Sequence, residues 1–281
     1  MQRPTGYAVG VTMLDGILPD PDVPGAWVVR VGGADQSWID PDDPTRLEFD
    51  YVQRIAAHID AHAPEGQRLR VVHIGGAGMT LARYVAHTRP RSAQIVCEPD
   101  EELTAAVRER APLPKQSGIK VRPVDGRTGL AAMPDDYADV IIVDAFAGLV
   151  VPADLVTVEA FAQYRRVLHP GGLLVMNVTD RLPFAWTRRV LAAMRIYFPE
   201  RTLSAEPSTL KGRRKGNLVL AGSTDPLPVD HLSREAARAV FTYRMISGSQ
   251  LESTIGGAQP MHDGSAEDSP NLTGDTALWF R

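Results

Sequence analysis

From residue 70 onward, the sequence alternates between short apolar runs rich in β-branched residues and longer segments with helical periodicity. The apolar runs have the length and composition of buried strands, and turn residues separate them from the helical segments. Five strand–helix units follow one another, and a last pair of strands, near RTLSAE and GNLVLAGS, is predicted to form a hairpin. This alternation predicts a mainly parallel sheet with helices on both faces and one antiparallel strand in the C-terminal hairpin.

The two ends of the chain differ from this central part. Before residue 62, short alternating runs broken by Pro, Gly and Asp indicate a small β element, and a helical stripe over LEFDYVQRIAAHIDAHA follows it. The chain of 281 residues is long enough for one large and one small unit. We therefore predict a β element with a linking helix over 1–62, an α/β domain over 63–245, and an irregular Gly/Ser/Pro/Asp-rich tail over 246–281.

Composition excludes several classes of protein. The net charge of −4 gives no global electrostatic case for binding nucleic acid. The single cysteine, Cys97, excludes an intramolecular disulfide, and no cluster of His, Cys and Asp has the spacing of metal ligands. Neither a signal-peptide core nor a run of membrane-spanning length is present, so the prediction is a cytoplasmic protein that binds no membrane, nucleic acid or metal.

A glycine-rich turn follows the first strand of the α/β domain. Gly75, Gly76 and Gly78 allow a ligand to approach the backbone, and the next helix offers free amide donors there. Glu98 ends the second strand, 20 residues after Gly78, where an acid can accept hydrogen bonds from both ribose hydroxyls. The third glycine of the dinucleotide-binding pattern is absent, because Leu81 follows, which disfavours a dehydrogenase. The pattern indicates an adenosine ligand.

Two more acids end the third and fourth strands. Asp125 can contact an adenine amino group, with the amide of Gly126 serving a ring nitrogen, or it can cap the next helix; the sequence favours neither. Asp144 follows the buried run VIIV and can be a base, a ligand or a polar strand end. Because the carboxyl ends of parallel strands share one edge, Glu98, Asp125 and Asp144 are predicted to form one elongated site for a nucleoside with a cationic end.

The chain resembles the spermidine synthase-like (polyamine biosynthesis) family of the S-adenosylmethionine-dependent transferase fold. The resemblance covers about residues 26–222, through the segments ADQSWID, LEFDYVQRI, HIGGAGMTLARYV, CEPDEEL, PVDGR, VIIVDAFAGLVVPADL and VLHPGGLLVMNV. It implies a small N-terminal β domain, a Rossmann-like catalytic domain and a homodimer. It also implies that Gln36 and Glu98 hold the nucleoside, Asp125 contacts adenine, Tyr51 lines an amine pocket, and Asp144 lies beside the transferred group.

Two departures from the family pattern shape the functional prediction. Ala77 and Ala147 stand where the family usually carries acids that face ammonium groups, and the candidates to replace them are Asp35, Asp50 and Asp180. A carboxylate missing beside a desolvated ammonium costs about 3–5 kcal/mol. The sequence therefore favours S-adenosylmethionine as donor and methyl transfer to a small amine or another nucleophile, with Asp144 as catalytic residue. The alternatives are an aminopropyltransferase that uses decarboxylated S-adenosylmethionine and a diamine, and a nucleoside-binding protein without turnover.

Overall fold

The computed structural model describes residues 14–271, which fold into a small antiparallel sheet and a large mixed sheet. The N-terminal residues 1–13 and the last ten residues of the predicted tail lie outside the described residues. The small sheet has the order β1–β2–β3. Its strands are β1 (Leu14–Pro19), β2 (Trp27–Val31) and β3 (Ala34–Ile39). The β element predicted at the start of the chain is therefore present.

The large sheet has eight strands in the order β11-β9-β10-β8-β7-β4-β5-β6. They are β4 (Arg70–Ile74), β5 (Ala93–Cys97), β6 (Ile119–Arg122), β7 (Ala138–Val143), β8 (Leu168–Asp180), β9 (Glu200–Ala205), β10 (Gly216–Ser223) and β11 (Arg244–Ser247). Strands β4 to β8 are parallel, and β10 runs antiparallel to both β8 and β9. The strand order reverses beside β4, which places a ligand crevice beyond the carboxyl ends of β4 and β7.

Nine α-helices cover this sheet within the described residues. They are α1 (Asp50–His62), α2 (Thr80–Thr88), α3 (Glu101–Arg110), α4 (Gly126–Ala131), α5 (Val158–Val167), α6 (Ala185–Met194), α7 (Pro207–Leu210), α8 (Val229–Arg238) and α9 (Gly248–Ile255). A 3₁₀ turn, Ala153–Leu155, precedes α5. No helix in this part of the chain is both long enough and apolar enough to cross a membrane.

Alternate residues of each central strand pack on opposite faces of the sheet. In β7, Val140 and Ile142 join the apolar cluster under α1, whereas Ile141 and Val143 join the cluster under α5 and α6. The strand period of two therefore directs the next residue, Asp144, toward the α1 side. This is the side on which Tyr51 of α1 lies.

The end of the chain differs from its prediction. The helix predicted to continue to Ile246 ends at Arg238, and β11 pairs instead with the free edge of β9. The expected irregular tail over 246–281 contains the end of β11 and all of α9. Only Leu251 and Ile255 of α9 are buried, one helical turn apart, so its apolar stripe is too short to recognise in the sequence.

Candidate functional site

A cavity of about 1050 Å³ lies beyond the carboxyl ends of β4, β5, β7 and β8. The small sheet closes one side through Gln36, Ser37 and Trp38, and α1 closes another through Tyr51 and Val52. The predicted site residues that line this cavity are Gln36, Tyr51, Gly75, Gly76, Glu98, Asp125, Gly126 and Asp144, whereas Gly78, also predicted, does not line it. The structure thus brings the predicted residues together around one space.

The glycine loop after β4 packs closely against the loop after β7 on one side and against the small sheet on the other. Gly75 has φ +88°, and a Cβ atom there would lie 2.3 Å from the carbonyl oxygen of Asp144 and 2.8 Å from Cα of Ala145. Gly78 packs against the small sheet, where its amide donates to Ser37 Oγ at 3.1 Å. Only glycine at residue 75 permits β4 and β7 to end this close together.

We expect Gly75→Ala to lower the free energy of unfolding by more than about 2 kcal/mol, because it combines left-handed strain with a main-chain clash. Urea denaturation measures the loss. The matched control is Gly66→Ala, since Gly66 also has positive φ, +82°, but has open space around it. Equal losses in the two variants would show that the close approach to Asp144 contributes nothing.

Glu98 holds the glycine loop with its carboxylate. Its Oε2 accepts from the amides of Gly76 at 2.8 Å and Ala77 at 3.2 Å, and its Oε1 accepts from the amide of Asp100 at 3.0 Å. Asp100, not Glu98, caps α3 by accepting from Leu103 N. Three backbone donors therefore fix the Glu98 carboxylate at the edge of the cavity, with lone pairs left for a ligand.

Asp125 caps α4 in this structure. Its two oxygens accept from the amide and the hydroxyl of Thr128 at 2.8 and 2.7 Å. Burial raises the pKa of Asp125, but the hydrogen bonds from Thr128 and from nearby backbone amides together outweigh burial, and the net pKa is lowered. Gly126 beside it leaves no room for a side chain, because a Cβ would lie 2.3 Å from Cγ2 of Ile74. Asp125 is thus a helix cap that also faces the cavity.

Asp144 is held by two side chains from different elements. Asn177 Nδ2 on β8 donates to Asp144 Oδ1 at 3.0 Å, and the hydroxyl of Tyr51 on α1 also donates to this carboxylate. Burial raises the pKa of Asp144 to about 6, although both hydrogen bonds lower it. Burial and the Asp144 charge together raise the pKa of Tyr51, so its hydroxyl stays protonated. Asp144 is therefore an oriented carboxylate that can take up a proton near neutral pH.

Gln36 and the C-terminal segment both hold the loop that follows Asp144. Gln36 Nε2 donates to the carbonyl oxygen of Gly148 at 3.2 Å. Asp268 accepts from Ala153 N, and Ser269 exchanges hydrogen bonds with the amide and carbonyl of Val151. The described part of the tail is therefore fastened to this loop, and Asp268 also lines the cavity.

None of the three acids suggested as replacements lines the cavity. Asp35 pairs with Arg30 at 2.7 Å, and Asp50 pairs with Arg54 at 3.0 Å. Asp180 is the last residue of β8, and it accepts from the amide and the hydroxyl of Thr187 in the first turn of α6 and from the amide of Arg181. Ala77 and Ala147 line the cavity and supply no charge of their own.

Sequence reasoning missed two properties of the lining. First, nine carboxylates line the cavity, and none of the described lining residues is Lys or Arg; the nine are Glu48, Glu98, Asp100, Glu101, Glu102, Asp125, Asp144, Asp154 and Asp268. Second, β8 and β10 contribute Asn177, Thr179 and Asn217. Polar residues inside the buried run LLVMNVTD were the available signal. Residues 14–271 contain no group of three or more His, Cys, Asp or Glu side chains placed to hold a metal ion.

The chain is similar to proteins named spermidine synthase and polyamine aminopropyltransferase. The crystal structure of a probable spermidine synthase from Corynebacterium glutamicum ATCC 13032 is 33% identical with a TM-score of 0.81, covering 88% of this chain and 92% of that chain. A spermidine synthase from Thermotoga maritima, 19% identical with a TM-score of 0.55 over 83% of this chain and 76% of that chain, shares the fold.

A curated relative, a probable polyamine aminopropyl transferase from Bifidobacterium longum, is 35% identical over 99 residues, which are 35% of this chain and 22% of that protein. The matched segments span about half of the other curated relatives. No protein-family model matches the sequence.

Proposed function

The chain belongs to the spermidine synthase-like family, and we propose that it transfers an aminopropyl group from decarboxylated S-adenosylmethionine to a small primary amine. The observation that carries this proposal is the charge of the cavity: nine lining carboxylates and, among the described lining residues, no Lys or Arg. Such a lining attracts cations and disfavours anions.

The charge of the donor decides between the predicted reactions. Decarboxylated S-adenosylmethionine carries a sulfonium and an ammonium and no carboxylate, so its charge complements the lining. Ordinary S-adenosylmethionine would bring a carboxylate into an acidic cavity without a basic side chain to pair with it. This favours the aminopropyltransferase alternative over the methyl transfer that Ala77 and Ala147 suggested.

Different lining residues would bind the ribose, the adenine and the attacking amine. Glu98 would accept hydrogen bonds from the ribose, and Asp125 with the amide of Gly126 would contact adenine. The attacking amine would lie beside Asp144, because the hydrogen bonds from Tyr51 and Asn177 aim this carboxylate into the cavity. The amine nitrogen forms the new C–N bond, the C–S bond breaks with its electron pair going to sulfur, and Asp144 takes the amine proton. Alignment supplies further rate, because the sulfonium is already activated.

The donor test uses the full chain with an equimolar mixture of putrescine, 4-aminobutan-1-ol and butylamine. We expect aminopropylated product to form about tenfold faster, or more, from the decarboxylated donor than methylated product from S-adenosylmethionine, a ratio that needs only about 1.4 kcal/mol. Mass spectrometry of the products measures both rates. Faster methylation would favour methyl transfer, and nucleoside binding without any product would favour the non-catalytic alternative.

The homodimer and the cytoplasmic location expected from the sequence remain proposals. Light scattering of the full chain in solution tests the first, and cell fractionation tests the second.

A further inference from the structure

The cavity has a neutral polar end beside Asp144, formed by Asn177, Thr179 and Asn217. Asn177 and Thr179 lie two residues apart on one face of β8, which separates them by about 7 Å. Asn217 pairs with Thr179 across the β8–β10 ladder. All three residues line the cavity, and the first two are each only 1% exposed.

Two polar atoms at this neutral end have no hydrogen-bond partner among the described residues: Asn177 Oδ1 and Thr179 Oγ1. An unpartnered buried polar atom costs about 1–3 kcal/mol, so such atoms are expected to meet a ligand. Asn177 Oδ1 can only accept, whereas the Thr179 hydroxyl can donate and accept. A ligand hydroxyl suits this pair, because it can donate to the first and accept from the second.

The surroundings of the neutral end disfavour an ammonium there. The buried guanidinium of Arg54 lies behind it and donates to the carbonyl oxygens of Asn217 and Ser204. The neighbouring carboxylates are already paired with guanidinium groups, Asp50 with Arg54 and Glu206 with Arg214. A second buried cation would therefore lack a free carboxylate and would lie near an existing cation.

Of the nine acidic lining residues, Asp144 and Asp154 come from the connection between β7 and α5, and Glu48 comes from the segment before α1. Asp154 lies beside the guanidinium of Arg127, which donates to its carbonyl oxygen. Glu48 is exposed. An exposed carboxylate at the rim contributes about 0–1 kcal/mol to an ion pair, too little to offset the burial of an ammonium. Asp144 can hold or deprotonate one amine, whereas Glu48 is exposed and Asp154 already lies beside a guanidinium, so neither offers a buried, unpaired carboxylate to a second cation.

We propose that the acceptor is an amino alcohol, with its amine at Asp144 and its hydroxyl at Asn177 and Thr179. This inference rests on the proposed aminopropyl transfer and names its acceptor class. The amine attacks the carbon next to sulfur, the thioether leaves, and the proton passes to Asp144. The hydroxyl takes no part in the chemistry and only fixes the chain between the two polar groups.

The test measures kcat/KM of the full chain with decarboxylated S-adenosylmethionine and one acceptor at a time. The acceptors are 4-aminobutan-1-ol, putrescine and butylamine, which share a four-carbon chain and end in a hydroxyl, an ammonium or a methyl group. We expect kcat/KM for the amino alcohol to exceed that for each of the other two by about tenfold or more, as one well-placed hydrogen bond would provide.

A pair of variants tests where the hydroxyl binds. Thr179→Val removes the hydroxyl with little change in shape, and we expect it to reduce the amino alcohol's advantage over butylamine about fivefold to tenfold. The matched control is Ser204→Ala, which removes another buried, unpartnered hydroxyl that does not line the cavity. The control should keep the advantage of the wild-type protein.

The possible results distinguish failure of the acceptor proposal from failure of the proposed aminopropyl transfer. Putrescine as the preferred acceptor overturns the amino-alcohol proposal and leaves aminopropyl transfer standing. Equal kcat/KM for the amino alcohol and butylamine also overturns it, as does an unchanged preference in a folded Thr179→Val protein. Nucleoside binding without transfer to any amine overturns aminopropyl transfer itself, and the acceptor proposal with it.

Discussion

Asp144→Asn is expected to lower kcat for amine alkylation about a thousandfold, because general base catalysis commonly contributes 10²–10⁴-fold. The asparagine keeps the size of the side chain, and its amide oxygen can still accept a hydrogen bond, so the cavity should keep its shape. It cannot take the proton from the attacking amine. Nucleoside binding should change much less than kcat, and calorimetry with the thioether product checks this.

The pH profile identifies Asp144 as the base. Since burial raises its pKa to about 6, wild-type kcat should fall as the pH drops through about 6, where the carboxylate becomes protonated. The residual activity of Asp144→Asn should lack this transition. The control is Asp136→Asn, at an exposed residue with φ +51° that asparagine tolerates. A wild-type profile that stays flat from pH 5 to 7.5 would contradict the assignment.

Asp144→Asn is expected to lower activity without lowering the stability of the fold. The raised pKa of Asp144 means that folding favours the protonated acid; this stabilisation is present below the unfolded value of 3.8 and is lost as the pH rises through about 6. At pH 8 the neutral asparagine should therefore leave the melting temperature unchanged or raise it. A lower kcat with an unchanged or higher melting temperature would separate catalysis from folding.

The fold could be predicted from the sequence because each strand carries its own signal. Each strand–helix unit repeats the same signals in the same order, namely an apolar β-branched run, a strand-end acid or glycine, and a helix. Parallel strands all end at the same edge of the sheet. Glu98, Asp125 and Asp144 could thus be assigned to one cavity from the sequence, before any distance between their atoms was known. The same reasoning could not show that Asp125 caps α4, because an acid after a strand suits a cap and a ligand equally.

The rest depends on contacts between segments far apart in the chain. The charge of the cavity is a sum over acidic residues from Glu48 to Asp268, and no local sequence pattern reports such a sum. Whether Asp35, Asp50 or Asp180 reaches the site depends on which partner each one meets, and all three meet partners elsewhere. Asn177 comes to lie beside Asp144 through the pairing of β7 with β8, which the sequence alone does not show. β11 depends on the free edge of β9, which the sequence does not show.

Glu98→Ala is expected to weaken binding of the thioether nucleoside about a hundredfold, which corresponds to about 3 kcal/mol. The ribose would lose two charge-assisted hydrogen bonds. The amides of Gly76, Ala77 and Asp100 would also lose their acceptor, so the glycine loop itself should loosen.

Calorimetry with the purified nucleoside measures the Kd, and Glu98→Gln separates the two contributions. Glutamine keeps an oxygen for the loop amides but has no charge for the ribose, so its loss of affinity should lie between wild type and Glu98→Ala. The control is Glu109→Ala, at an exposed residue on α3 that does not line the cavity. An unchanged Kd in a folded Glu98→Ala protein would mean that the nucleoside does not bind at the ends of β4 and β5.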